Sequence, residues 1–197
     1  SGNFDVGHGL DSAPDMFIAK GRETSGYIWV VYHRSAGAGG YLTLNSTGAF
    51  VSNTAIYQNT NPNSSLIYGN ATDWGGNEDY ICYAFHSVEG FSKFDSYTGN
   101  GSTDGPFVYT GFRPAFVLMK RTNTSGSSWA MYDSKRNPNN VANFSLYANI
   151  SNAEFSTLGV IDILSNGFKL RDSNTNINPS GGTFIYMAFA EMPTKFS

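Results

Sequence analysis

The chain has 197 residues, and 40% of them are hydrophobic, which is enough for the core of one large β domain or two small ones. Its net charge is −3 and its 12 Lys and Arg residues are scattered, which argues against a nucleic-acid partner, because phosphate backbones are bound by clustered basic side chains. No apolar run approaches the roughly 20 residues of a membrane span, so membrane insertion is not expected.

The predicted secondary structure is β throughout. In chain order, the apolar and aromatic runs typical of strands occur at residues 16–19, 27–32, 80–85, 105–112, 115–119 and 184–189. Clusters of Gly, Asn and Pro between these runs predict turns, and no stretch keeps the 3.6-residue period of an amphipathic helix. About twelve to fourteen strands in all predict an all-β sandwich of the jelly-roll type, because an open sheet of that size would normally split into two.

The predicted strand at residues 80–85 contains the only cysteine of the chain, Cys82. A single cysteine excludes an internal disulfide and any metal site built from several cysteines. Because its neighbours are apolar and aromatic, Cys82 is expected to be a small buried residue rather than a reactive thiol.

Two tandem copies of one unit make up the sequence, at about residues 8–96 and 105–197. The matches at an offset of 100 include Pro14/Pro114, Lys20/Lys120 and Trp29/Trp129, and those at an offset of 104 include Leu42/Leu146 and Phe85/Phe189. The second copy therefore has four extra residues, which lie between Tyr132 and Leu146. The two tryptophans occupy equivalent strand positions, so both are expected in the core.

No Pro-rich, Ser-rich or charged linker separates the two copies. This continuity favours a single β-sandwich domain over residues 1–197, with two small domains as the alternative.

Three segments are distinctive: EGFSKFDSYTGNGSTDGPFVYTGFRPAFVLMKR at 89–121, LSNGFKLR at 164–171 and FIYMAFAE at 184–191. They resemble a repeated domain of unknown function in tail and tail-fibre proteins of tailed bacteriophages, particularly those of marine bacteria and cyanobacteria. HGLDSAP at 8–14 resembles the first strand of that domain, so the resemblance covers nearly the whole chain. It implies a concanavalin A-like lectin fold and supplies no catalytic residues.

The same resemblance implies a place in the virion, in a tail or fibre exposed to the extracellular medium. The chain is then expected to be a fragment of a longer fibre protein. Its expected partners are a host-surface glycan or receptor and other fibre or tail subunits.

Enzymatic chemistry is not expected. A glycosidase needs two carboxylates across the scissile bond, yet the glutamates are isolated, and the adjacent Glu78 and Asp79 would point to opposite faces of a strand. His8, His33 and His86 lie near no nucleophile-elbow sequence. No cofactor is expected either, although the oxygen-rich loops 70–79 and 172–176 leave calcium open as an alternative to ordinary turns.

Two loops are the candidates for ligand binding. In the first copy, Trp74 lies in a polar loop, and a flat aromatic ring beside amides and carboxylates is typical of sugar sites. The alternative is that Trp74 caps the end of the core. The other candidates near this loop are Asp73, Asn77, Asp79 and Tyr57.

In the second copy, the candidates surround the four-residue insertion and are Asp133, Lys135, Arg136 and Asn139. Loops on a rigid β scaffold often carry function, although a solvated turn is the alternative. The hypothesis favoured from sequence is a non-catalytic receptor- or carbohydrate-binding domain of a phage tail fibre or related adhesin. A structural or oligomerising module of the fibre is the alternative, and a polysaccharide-degrading enzyme is the least favoured.

Overall fold

The computed structural model describes residues 2–76, 78–156 and 160–192. The chain divides into two compact units, Ser1–His86 and Ser87–Ser197. The all-β prediction is confirmed, and the several antiparallel sheets support β-sandwich character. Among the described residues, no helix is long and apolar enough to cross a membrane. A single sandwich over residues 1–197 stays a prediction.

The first unit, which we call unit 1, has one five-stranded and one two-stranded antiparallel sheet. Its elements are β1 (Asn3–Gly7), β2 (Met16–Gly21), β3 (Val30–His33), β4 (Gly40–Thr43), β5 (Val51–Ser52), β6 (Leu66–Asn70), α1 (Ala71–Trp74) and β7 (Tyr80–Phe85). The larger sheet has the order β5-β4-β3-β2-β7, and β1 pairs with β6. Strand β2 has neighbours on both sides and is buried along nearly all its length, which explains its continuous apolar sequence.

Strand β7 lies at the edge of the larger sheet. Ile81, Cys82 and Tyr83 are exposed there. The prediction that Cys82 is buried was therefore wrong, because an apolar run does not reveal whether its strand lies inside a sheet or at its edge.

The core of unit 1 is aromatic. Phe17 of β2 and Tyr32 of β3 stack with ring centroids 5.1 Å apart, and the Tyr57 ring packs edge-on against both, at 5.3 Å and 5.5 Å. Trp74 at the end of α1 joins this cluster. These rings fill the space beneath β2 and β3, where the alternation of the strands turns every second side chain inward.

The second unit, unit 2, has a five-stranded and a three-stranded antiparallel sheet, with the orders β12-β11-β10-β15-β8 and β13-β14-β9. Its strands are β8 (Ser92–Thr98), β9 (Phe107–Tyr109), β10 (Pro114–Arg121), β11 (Ala130–Asp133), β12 (Leu146–Tyr147), β13 (Ile161–Leu164), β14 (Gly167–Leu170) and β15 (Thr183–Ala190). Val117, Tyr132, Phe168 and Tyr186 are among the residues of its core. Trp129 is buried as expected, whereas Trp29 of unit 1 is only half-buried.

The two units pair equivalent strands in equivalent register. Met16 lies opposite His33 and Phe85 in unit 1, just as Phe116 lies opposite Asp133 and Phe189 in unit 2. These are the offsets of 100 and 104 found in the sequence. Side-chain contacts repeat as well, because the amides of Trp29 and Trp129 donate to Asn45 Oδ1 and Asn149 Oδ1 at 3.0 Å and 2.8 Å.

Strand β8 is the main difference between the two five-stranded sheets. It pairs with β15 over seven residue pairs, from Ser92 opposite Phe189 to Thr98 opposite Thr183. It therefore belongs to unit 2, although the repeat pattern in the sequence assigns residues up to about 96 to the first copy. Among the described residues, no strand lies beside β7 in the equivalent position of unit 1.

Candidate functional site

The Trp74 side chain points into the core of unit 1. The Asn70 side chain caps helix α1 by accepting hydrogen bonds from the amides of Thr72 and Asp73, at 3.0 Å and 3.4 Å. This short helical turn directs Trp74 inward, where it is 2% exposed and its indole N–H donates to the Ile56 carbonyl at 3.0 Å.

Four aromatic rings surround the indole. The centroids of Phe4, Tyr80, Phe17 and Tyr57 lie 5.0, 5.6, 6.0 and 6.4 Å from that of Trp74. The assignment of Trp74 to ligand binding is corrected, because neither face of a ring enclosed in this way is open to a sugar. Tyr57 is corrected for the same reason, since it is 1% exposed. The sequence pattern of an aromatic residue in a polar loop is the same whether the side chain points outward or caps a core.

Two of the polar residues of the Trp74 loop make hydrogen bonds to neighbouring segments of unit 1. Asp73 Oδ1 accepts a hydrogen bond from Asn53 Nδ2 at 2.6 Å, which ties the loop to a neighbouring turn. Asp79 is exposed, and its carbonyl accepts from the Arg22 amide at 2.9 Å. Asn77 lies outside the described residues. Asp73 thus helps to hold a structured turn, and the buried Trp74 leaves no aromatic face beside it.

The inserted loop of unit 2 is organised around Arg136. The Asp133 carboxylate accepts hydrogen bonds from the amides of Lys135 and Arg136 at 2.9 Å and 2.7 Å, and the Arg136 guanidinium contacts Asp133 and, at 2.8 Å, Glu154. Burial acts to raise the pKa of Asp133, but the hydrogen bonds from Arg136 outweigh it and hold that pKa below its usual value. The same two carboxylates raise the pKa of Arg136.

The four residues predicted in this loop therefore separate into two kinds. Asp133 and Arg136 hold each other and shape the loop, while Lys135 and Asn139 are exposed. The Asn140 side chain fixes the far end of the loop, because it exchanges two hydrogen bonds with the backbone of Ile163 at 2.9 Å and 3.0 Å. Of the four predicted residues, Lys135 and Asn139 are the most exposed to a ligand.

The loop at residues 172–176, which was considered for calcium, forms two consecutive Asx turns. Asp172 Oδ1 accepts from the Asn174 amide at 3.0 Å, and Asn174 Oδ1 accepts from the Asn176 amide at 2.8 Å, which is the usual Asx-turn pattern. In the part of the chain that the structure describes, no group of three or more His, Cys, Asp or Glu side chains is placed to hold a metal ion.

A groove in unit 2 combines exposed aromatic rings with hydrogen-bonding groups, and sequence reasoning missed it. On strand β9, Phe107 and Tyr109 point outward and are 45% and 63% exposed, while Val108 between them enters the core. Gly167 on β14 makes room for this pair, because a Cβ there would overlap the Val108 carbonyl oxygen and approach the Phe107 ring to 3.0 Å.

The groove, which we call the β8–β9 groove, has a volume of about 310 Å³. Its polar wall comes from β8, where Lys93 Nζ lies 3.5 Å from Asp95 Oδ2 and Ser96 is exposed. Its floor includes Tyr186, whose hydroxyl donates to the Tyr109 carbonyl at 3.3 Å. Apolar rings therefore face carboxylate, ammonium and hydroxyl groups across a shallow cleft.

A second groove of about 270 Å³ adjoins the first. Lys93 and Tyr109 line both grooves, and Glu89 and Thr110 line only the second. The exposed Tyr109 ring thus stands between two neighbouring clefts. The signal in the sequence was the alternation of Phe107-Val108-Tyr109 between two glycine turns, which places two aromatic residues on one face of a short strand.

Comparison with known proteins identifies the family of the chain. Searches of curated proteins and of solved structures found no match. Residues 1–193 match the family described as Domain of unknown function (DUF7483). Because this match covers nearly the whole length, the chain belongs to the DUF7483 family.

Proposed function

We propose that this chain is a non-catalytic carbohydrate- or receptor-binding domain of a phage tail fibre or related adhesin, and that the β8–β9 groove is its binding site. The single observation that carries the proposal is the exposed pair Phe107 and Tyr109 beside the polar side chains of β8. The resemblance to tail-fibre proteins supports the biological setting, in a virion exposed to the extracellular medium.

The chemistry of the groove suits a sugar. An aromatic face takes the apolar C–H patch of a pyranose ring, and Tyr109 offers such a face to both adjoining clefts. Lys93, Asp95 and Ser96 supply donors and acceptors for the hydroxyl groups. The low charge content of the chain, at 14%, also suits a neutral, hydroxyl-rich ligand.

We propose in addition that the two units are copies of one duplicated element within a concanavalin A-like jelly roll. The shared strand register supports this, as do the left-handed turns at Gly26 and Gly126, with φ of 88° and 92°. A duplicated scaffold accounts for what the units share. The β8–β9 groove depends on β8, which unit 1 lacks among its described residues, so the binding site is expected in unit 2 alone.

The test is binding of the full chain to a glycan array and to polysaccharide from host surfaces. Tyr109→Ala is expected to weaken binding about tenfold, since it removes one stacking contact and part of the buried apolar area. Tyr83→Ala is the matched control, because Tyr83 is also an exposed tyrosine on a β-strand, at 46% exposure, but lies in unit 1 outside the β8–β9 groove.

Three outcomes separate the alternatives. If Tyr109→Ala and Tyr83→Ala bind the glycan equally well, the β8–β9 groove is not the site. If no glycan or host surface is bound and the chain forms a stable oligomer, it is a structural module of the fibre. If the bound polysaccharide is recovered in shortened form, the chain is an enzyme. EDTA is expected to leave the affinity unchanged, because binding is proposed to need no calcium.

A further inference from the structure

Tyr109 stands where the β8–β9 groove meets the second groove, and the backbone beside it is fixed. Its carbonyl accepts a hydrogen bond from the Tyr186 hydroxyl at 3.3 Å. The amides of the next two residues, Thr110 and Gly111, donate to the Asn166 carbonyl at 3.0 Å and 3.2 Å. A ligand that packs on Tyr109 therefore meets a backbone that is already ordered, which lowers the entropy cost of binding.

The Tyr109 ring extends beside the second groove as well as the first. A Cβ at Gly111 would lie 3.7 Å from the Tyr109 hydroxyl oxygen and 3.9 Å from the nearest ring carbons. The ring therefore lies next to Gly111, in the bend that follows β9. Gly90 and Gly111 both line the second groove and have φ of 70° and 86°, a conformation that favours glycine. These two glycines keep the groove beside the ring free of side chains.

Hydrogen-bonding side chains are present on both sides of Tyr109. Asp95 and Ser96 line the β8–β9 groove, and the exposed Glu89 lines the second groove. Lys93 lines both, with its Nζ 3.5 Å from Asp95 Oδ2. Carboxylates accept hydrogen bonds from sugar hydroxyls, and an ammonium donates to them. Each groove can thus bind the polar edge of one sugar ring while Tyr109 contacts its apolar face.

The size of the two grooves indicates a ligand longer than one ring. Their volumes of about 310 Å³ and about 270 Å³ are near the lower limit of the range of about 300–1,000 Å³ for small-molecule pockets. Residues within 93–97 line the first groove and residues within 87–93 line the second, so the two continue one another along β8. Since a strand rises about 3.3 Å per residue, the stretch 93–97 alone extends about 13 Å. A single sugar ring is shorter than this.

The charges along the grooves favour an uncharged ligand. The charged side chains that line them are Lys93, Asp95 and Glu89. Two carboxylates against one ammonium leave a net negative charge, and the ammonium already lies beside Asp95. Bringing a like charge against such a surface costs affinity. Sugars that carry a carboxylate, sulfate or phosphate group are therefore disfavoured.

We propose that the β8–β9 groove and the second groove together bind an uncharged oligosaccharide of at least two rings, with one ring on each side of Tyr109. This inference rests on the proposed carbohydrate-binding function, and it makes Glu89 a specificity-determining residue that accepts hydrogen bonds from the second ring. Once the first ring is bound, binding of the second is intramolecular, so the linked pair binds more tightly than either ring alone.

The test uses the full chain and polysaccharide purified from host surfaces. The whole polysaccharide is measured first, and then its fragments of increasing size, from a single ring upward, which are prepared by partial acid hydrolysis. Isothermal titration calorimetry is expected to show an affinity at least about tenfold higher for fragments of two or more rings than for a single ring. The affinity is expected to stay within about twofold between about 50 mM and about 500 mM NaCl, because salt screens only charged ligands.

Glu89→Ala tests the contribution of the second groove. It is expected to weaken binding of fragments of two or more rings about tenfold, because hydrogen bonds to a carboxylate are lost. Glu89 is exposed in a turn, so the variant is expected to fold, and circular dichroism checks this. Glu23→Ala is the matched control, since Glu23 is an exposed glutamate of unit 1 outside both grooves, and it is expected to leave the affinity within about twofold.

The outcomes distinguish this inference from the proposed function. If the whole polysaccharide is not bound, carbohydrate binding itself is refuted, and the two-ring ligand with it. If the whole polysaccharide is bound, three results overturn the two-ring ligand while carbohydrate binding stands. These are equal affinity for a single ring and for longer fragments, an unchanged affinity of Glu89→Ala for the longer fragments, and an acidic composition of the bound polysaccharide.

Discussion

Removing the hydroxyl of Tyr57 is expected to stabilise the protein. This side chain is 1% exposed among Phe17, Tyr32 and Trp74, and its hydroxyl has no hydrogen-bond partner among the residues that the structure describes. Folding therefore removes the hydroxyl from water without replacing the hydrogen bonds that it made there. Burial raises the pKa of Tyr57 well above 10, as expected for a hydroxyl in an apolar core.

The magnitude follows from two opposing contributions. An unpartnered buried hydroxyl costs about 1–3 kcal/mol in desolvation. Tyr57→Phe removes that cost and leaves a space of about 10–15 Å³, which at about 24 cal/mol per Å³ of cavity costs about 0.3 kcal/mol. The free energy of unfolding is thus expected to rise by about 0.7–2.7 kcal/mol.

Tyr32→Phe is the matched control in the same core. The Tyr32 ring packs against Tyr57 at 5.5 Å, but its hydroxyl donates to Asn61 Oδ1 at 3.1 Å. Loss of a made hydrogen bond is expected to lower the free energy of unfolding by about 1 kcal/mol. Urea unfolding followed by circular dichroism and tryptophan fluorescence measures both variants.

Tyr57→Phe and Tyr32→Phe are therefore expected to change the free energy of unfolding in opposite directions. If Tyr57→Phe is as destabilising as Tyr32→Phe, the Tyr57 hydroxyl has a partner such as a buried water. The Tyr57 hydroxyl would then not be an unsatisfied group, and its removal would not be stabilising.

Three further substitutions follow from buried or paired groups. Trp74→Ala is expected to lower the free energy of unfolding by about 3–5 kcal/mol through loss of core packing; a stable variant that loses only glycan affinity would contradict the core assignment. Arg136→Met is expected to lower the free energy of unfolding by about 1 kcal/mol at pH 7 and by less at pH 3. The pKa of Asp133 is lowered in the folded state, so the stability that its carboxylate contributes is lost as the pH falls through that pKa. An equal loss at both pH values would argue against the Asp133–Arg136 ion pair. Lys120 is 0% exposed and burial lowers its pKa to about 8, while its ammonium donates to the Ser127 carbonyl at 2.6 Å. The folded chain holds this proton less tightly than the unfolded chain, so the free energy of unfolding is expected to rise between about pH 8 and pH 10.4. Lys120→Met should remove that rise and add about 1 kcal/mol to the free energy of unfolding at pH 7. Urea unfolding across this pH range is the measurement, and a flat wild-type curve would contradict the expectation.

Strand positions were predictable because they depend on local sequence. The runs at residues 16–19 and 80–85 lie within β2 and β7, and residues 184–189 lie within β15. The offsets of 100 and 104 also reappear in the register of the paired strands. Alternation and β-branched content act over a few residues, so one sequence carries them without further information.

The candidate binding residues were less predictable. Trp74 has the pattern of a binding residue because its neighbours in sequence are polar, whereas Tyr109 lies in an ordinary strand and gives no such signal. Only the folded chain shows that the short helix α1 turns Trp74 inward and that β9 turns Tyr109 outward. In the inserted loop, Arg136 pairs both with the nearby Asp133 and with Glu154, and the second partner is distant in sequence.

The sequence by itself determined that this protein is all-β in class and which side chains alternate along each strand. Tertiary structure alone decided which strands lie at an edge, and hence that Cys82 and Tyr83 are exposed while the similar run in β15 is covered by β8. The physical reason is that alternation is a property of one strand, whereas exposure depends on the neighbours that a strand acquires from elsewhere in the chain.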